Sequence, residues 1–161
     1  MYLLDTDVVW ALRGAASGEA DSGLTSWAAG IAPTAMFISA VTLMEFESGA
    51  SKLERRDKAN AAAIRSWIEG PLSKAFDGRV LPINAAVVKR WARLAYADQR
   101  DGLLAATALE HGLTLVTAST AAFKAGRVRT MNPWGFTPET SAVEWEDASL
   151  TGSLWLKSLF R

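Results

Sequence analysis

Short, mainly apolar runs recur along the chain: Tyr2–Leu4, Met36–Ser39, Val80–Ile83 and Thr114–Thr117. Between them lie stretches whose apolar residues return every three to four positions, the spacing of one buried helix face. A run that short and that apolar has no polar side to turn towards water, so it reads as a strand buried on both faces. Strands of this kind alternating with helices form a parallel sheet covered by helices on both faces. The expected fold class is therefore α/β, with a central parallel sheet of four to five strands. Val128–Met131 is the candidate fifth.

The intervening segments read as follows. Thr6 or Asp7 caps a first helix with Val8, Val9 and Leu12 on its inner face. Gly14 to Gly23 is a small-residue loop, and Ser26 to Ala32 is helical up to Pro33. Thr42 to Leu53 is a helix with Leu43, Phe46 and Leu53 on one side. Alanine-rich Ala59 to Ile68 is strongly helix-forming. Helices follow over Ala85–Ala97 and Asp101–His111, with Gly112 as the C-terminal cap of the second. One domain is expected over residues 1–134. Residues 135–161 form an extension that is acidic at first and then apolar (Leu150, Leu154, Trp155, Leu156, Leu159, Phe160), expected to pack on the core or on a partner.

A chain of 161 residues is long enough to bury a real core. Its 17 basic and 17 acidic residues balance, which neither suggests nor excludes nucleic acid, since a local basic patch fits within a neutral total. Arg55, Arg56, Lys58 and Arg65 are such a patch, although a charge run on a helix is more often simply solvated. The absence of cysteine rules out disulfides and thiolate metal sites and makes a reducing cytoplasm the simpler assumption. Two acids in the first seven residues and no basic leader argue against a signal peptide. No apolar run approaches the roughly 20 residues of a membrane span. The seven tryptophans are spread along the chain and read as packing residues, and His111 reads as a helix-end charge.

The chemistry lies with the acids. Ligands of open α/β sheets sit outside the carboxyl ends of the strands. Asp5 directly follows the first strand, Glu45 lies past the second in the opening of a helix, and Asp101 starts the helix leading to the fourth. All three can reach one sheet edge. Converging carboxylates repel, and such a group normally persists by binding a cation or sharing a proton. Oxygen-only ligands suit Mg²⁺ or Mn²⁺ rather than zinc. Each residue also has a plainer reading: Asp5 as a helix cap, Glu45 as a solvated helix charge, Asp101 as a dipole-stabilised helix start.

Four stretches, YLLDTDVVWALR, FISAVTLMEFESG, VLPINAAVVKRWARL, and DGLLAATALEHGLTLVT followed by NPW, resemble the PIN-domain ribonucleases, specifically the VapC-type toxins of bacterial toxin–antitoxin modules. They occur in the family's order from Tyr2 to Trp134, about four fifths of the chain. The resemblance implies a PIN-like fold and a Mg²⁺- or Mn²⁺-dependent endoribonuclease, a homodimer that cleaves RNA and is neutralised by a cognate antitoxin. By motif position Asp5, Glu45 and Asp101 are the catalytic, metal-holding acids, with Thr6, Asp7, Thr117 and Ser119 as accessory residues.

The chain departs from the family pattern in two places. After the strand at Thr114–Thr117 the family typically reads TRN or TRD and often DF later, whereas this chain has Thr117, Ala118 and Ser119, then Ala122 before Phe123. The loop before Asp101 is also short, only DQR following Ala97. The missing charge implies reduced activity, and the short loop implies either a more open site or a shift of Asp101 relative to Asp5. They also motivate an alternative of another class: a catalytically impaired PIN-fold protein that binds an antitoxin or RNA without cleaving it.

Overall fold

The computed structural model describes residues 1–138, 154–157 and 159. Strand β1 (Tyr2–Leu4) is followed by α1 (Thr6–Arg13), α2 (Ser22–Ala29), β2 (Met36–Ser39), α3 (Ala40–Glu54) and α4 (Lys58–Trp67). A wide π turn at Ile68–Leu72 leads to the short α5 (Ser73–Ala75), then β3 (Val80–Leu81) and α6 (Ala85–Trp91). The order ends with α7 (Gln99–Glu110), β4 (Thr114–Val116), a 3₁₀ segment (Thr120–Gly126) and β5 (Thr130–Met131). Every strand pairing is parallel, in the order β3-β2-β1-β4-β5. The chain adopts the α/β class expected from the sequence, and its parallel sheet has five strands, the upper of the expected four to five.

The sheet separates two apolar clusters, because successive strand residues point to opposite faces. Leu4, Met36, Ile38 and Val116 pack with Val8, Val9 and Leu12 of α1, Trp27 of α2 and Trp67 of α4. Leu3 and Leu115 pack on the other face with Leu104, Ala105 and Ala108 of α7 and with Phe123. Leu3, Leu4 and Leu115 are fully buried, each worth about 1.5–3 kcal/mol. A one-residue slip of β1 would exchange the two faces, so this burial fixes its register.

Helices α2, α6 and α7 differ in extent from the sequence reading for local reasons, and α3 begins two residues earlier than expected, capped by Ser39. Helix α2 starts earlier, inside the expected small-residue loop, because Asp21 caps it by accepting a bond from Leu24 N–H at 2.9 Å. Helix α6 ends at Trp91 rather than Ala97. The chain then turns to place Tyr96, whose hydroxyl donates to the Phe123 carbonyl and accepts from Gly126 N–H, both at 3.1 Å. Helix α7 begins two residues before Asp101, capped by Asp98, which accepts from Arg100 N–H at 2.7 Å. At the far end His111 is the capping residue and Gly112 follows it with φ 63°, a left-handed conformation that glycine adopts freely.

Part of the C-terminal segment lies on the first cluster. Residues 154–157 form a helical turn, and Trp155, Leu156 and Leu159 are buried. The Trp155 indole stands edge-on to Phe76 with ring centres 5.5 Å apart and donates Nε1–H to the Ala75 carbonyl at 3.0 Å. Trp67 Nε1–H donates to the Leu159 carbonyl at 2.8 Å. Leu154 is exposed, while Trp145, Leu150 and Phe160 lie outside the described residues. No helix among the described residues is long and apolar enough to cross a membrane.

Candidate active site

The strand order puts β1 between β2 and β4, and this makes the site. Parallel pairing sets Leu4 opposite Val116, so the next residues, Asp5 and Thr117, emerge side by side at the carboxyl edge. Asp5 N–H donates to the Val116 carbonyl at 3.0 Å, and Thr117 N–H to the Met131 carbonyl at 2.9 Å. Helix α3 leaves β2 on one side and supplies Glu45. Helix α7 runs back towards the start of β4, so its first turn, with Asp101, stands at the same edge. The site therefore lies where the connections on the two sides of β1 diverge, the usual ligand position in such sheets.

Asp5 is at once the N-cap of α1 and the innermost acid, so its plainer reading and its functional one coexist. Its Oδ1 accepts from Thr6 N–H at 2.7 Å and its Oδ2 from the Thr117 hydroxyl at 2.7 Å. The Thr117 oxygen accepts in turn from Ser119 N–H at 3.0 Å, and Thr117 is buried. Burial pushes the Asp5 carboxyl above its ordinary value, against the lowering effect of the bonds from Thr117 and Thr6. The nearby charges of Asp7 and Glu45 push it the same way. Asp101 is raised as well, first by burial and then by the charge of Asp98.

A cleft of about 230 Å³ opens over these groups, lined by Asp5, Thr6, Asp7, Glu45, Asp101 and Ser119 among others. Asp7 is exposed on its rim in the first turn of α1. Ala122 and Phe123 close the side where the family pattern carries a further acid. All the acids singled out in the sequence thus share one cavity. Thr117 supports it from beneath, and Ser119 brings to it a hydroxyl and no charge.

Asp101 is held close by an unusual approach of two helices. A Cβ built on the neighbouring Gly102 would stand 2.8 Å from the Trp91 indole nitrogen. Only a residue without a side chain lets α7 lie this near to α6. The glycine therefore belongs to the site as much as the acid it follows.

Sequence reasoning missed Arg100 and Asp98. Arg100 Nη1–H donates to Glu45 Oε1 at 2.8 Å, and its Nη2–H to Asp98 Oδ2 at 2.7 Å. The bonds from Arg100 draw the Asp98 carboxyl down to about 2. The Thr6 hydroxyl donates to the other Glu45 oxygen, so both oxygens of Glu45 have partners within the chain. The only signal in the sequence was the position of Arg100 directly before Asp101. Of the basic patch of Arg55, Arg56, Lys58 and Arg65, the last is neutralised within the chain, pairing with Glu54 at 3.1 Å and Glu47 at 3.7 Å.

The donors suit a hard cation in kind, since all are carboxylate oxygens. In arrangement they are spread around the cleft. Among the described residues no three His, Cys, Asp or Glu side chains are grouped to bind a single ion.

Sheet order, edge position and acids together define a class. The chain belongs to the PIN-domain family, whose pattern matches residues 2–126. Within it the chain is similar to toxin FitB of Neisseria gonorrhoeae, 31% identical over 143 residues that make up 83% of this chain and 99% of FitB. The VapC ribonuclease Y4jK of Sinorhizobium fredii is 29% identical over 142 residues, 83% of this chain and 98% of the relative. The crystal structure of FitAcB from Neisseria gonorrhoeae contains a chain 28% identical that superposes with a TM-score of 0.73. That match covers 84% of this chain and all of the other.

Proposed function

We propose that this protein is a Mg²⁺- or Mn²⁺-dependent endoribonuclease, the toxin of a toxin–antitoxin module, that works through Asp5, Glu45 and Asp101. The observation that carries the reading is the single cleft at the carboxyl edge of the sheet, into which all three acids and Asp7 open. Asp5, Glu45 and Asp101 are the residues that would hold the ion, which when bound activates water and neutralises charge growing on a phosphate. The chain's own part is to orient Asp5 through Thr6 N–H and the Thr117 hydroxyl and to keep it desolvated. Ser119 and Ala122 leave the cleft one acid short of the family pattern, which supports reduced activity rather than none.

The proposal includes the partners. A cognate antitoxin fits the similarity to toxin FitB, RNA as substrate fits the similarity to the VapC ribonuclease Y4jK, and a homodimer in the cytoplasm completes the proposal. Incubation of pure protein with single-stranded RNA in Mn²⁺ tests the reading. Cleavage that disappears in Asp5→Asn and Asp101→Asn is expected. Inactivity of the wild type across a broad RNA panel would overturn it.

A second reading is favoured by the engagement of both Glu45 oxygens by Thr6 and Arg100. Here the protein binds an antitoxin or RNA without cleavage. A stable complex with a small partner, together with no cleavage in Mn²⁺, would select it over the first.

A further inference from the structure

The ten residues that line the cleft include four acids, Asp5, Asp7, Glu45 and Asp101, and one cation, Arg100. Arg100 is well placed to stay there. Its Nε–H and Nη2–H fork onto Asp98 at 3.2 and 2.7 Å, and Asp98 is itself fixed as the cap of α7. The remaining arm reaches Glu45 at 2.8 Å. Glu45 is mostly buried, with 19% of its side chain exposed, against 54% for Arg100. The cation thus approaches from the solvent side and closes over the acid.

We infer that Arg100 is a built-in occupant of the acid cleft, a positioning residue that competes with a divalent ion for Glu45. The inference rests on the metal-site reading above and explains why acids sharing one cavity are not grouped around one point. A guanidinium bonded to Glu45 Oε1 draws that oxygen outwards, and the Thr6 hydroxyl fixes the other. A divalent ion at Glu45 must share these oxygens with their donors and also accept a neighbouring positive charge. Arginine stays protonated at every ordinary pH, so the competition is not relieved by deprotonation of the cation. The short DQR connection supplies this residue by starting α7 early, with the side chain of its second residue next to Glu45.

Calorimetric titration with MnCl₂ at low ionic strength, on the full chain and on Arg100→Gln, tests this without any measurement of cleavage. An exposed ion pair is a modest competitor, so Arg100→Gln is expected to bind Mn²⁺ roughly three- to tenfold more tightly. In the Glu45→Gln background the same change should give no gain, because the masked ligand is gone. Arg100→Lys retains a charge without the fork and should fall between wild type and Arg100→Gln. It carries the test if the glutamine variant fails to melt cooperatively. Equal or weaker binding by the Arg100 variants overturns the inference alone. A full gain that persists in Glu45→Gln also overturns it, since Arg100 would then act only as a distant charge. No Mn²⁺ binding by any of the proteins overturns the metal site along with it.

Discussion

Thr117→Val isolates the bond that holds the innermost acid. Valine keeps the shape of threonine and removes one oxygen, which donates to Asp5 Oδ2 at 2.7 Å and accepts from Ser119 N–H at 3.0 Å. Thr117 is 1% exposed, so a valine there leaves little room for a water in place of the hydroxyl. A hydrogen bond to a carboxylate contributes about 1.5–3 kcal/mol to stability. For a chain of this size that loss lowers the melting temperature by roughly 3–12 °C.

The loss should also depend on pH. Burial already places the folded-state value of Asp5 above its ordinary value, and the Thr117 bond opposes that shift. Removing the bond raises the value further. Ionising Asp5 in the folded state is then more costly, a cost absent below the unfolded value that grows as pH rises through the folded one. Thr117→Val should therefore destabilise more at pH 7 than near pH 4, measured by urea unfolding at both. A double-mutant cycle with Asp5→Ala assigns the effect, since most of the loss should vanish once the carboxylate is gone. A change within about 0.5 kcal/mol of wild type, or an equal loss in the Asp5→Ala background, would refute the reasoning.

Two further predictions concern the same sheet edge and the opposite side of the core. Asp5→Asn should raise the melting temperature at neutral pH, because it removes a buried charge held against its solvation, while eliminating RNA cleavage. The gain should shrink towards zero as pH falls to the unfolded carboxylate range, and a pH-independent difference in melting curves would rule out the ionisation argument. Trp155→Ala removes a nearly buried indole, its edge contact with Phe76 and its bond to the Ala75 carbonyl. A loss of about 3–5 kcal/mol in urea unfolding is expected, and an unchanged midpoint would show that the C-terminal turn does not hold the core.

The sequence by itself determined the strands, the helices and the class of sheet, because each rests on local information. Tyr2–Leu4 and Met36–Ser39 are apolar runs with one favourable environment, and the spacing of Val8, Val9 and Leu12 admits one buried face. Helix ends were less legible where the deciding group was a cap or a distant partner. Asp21 and Asp98 start α2 and α7 early, while Tyr96 draws the chain out of α6 to reach Phe123 and Gly126. The candidate acids were legible as residues that follow strands or open helices. Their common cleft depended on β1 lying between β2 and β4, a pairing that no local stretch encodes.

Only the tertiary structure decided what the acids do with their charge. Glu45 and Arg100 stand 55 positions apart, yet their side chains meet at 2.8 Å. Burial, not composition, sets the upward shift of Asp5 and Asp101. Electrostatic energies follow distance and solvent exposure, and both are properties of the assembled edge. The sequence names the charges of this site, and folding determines which of them are already paired.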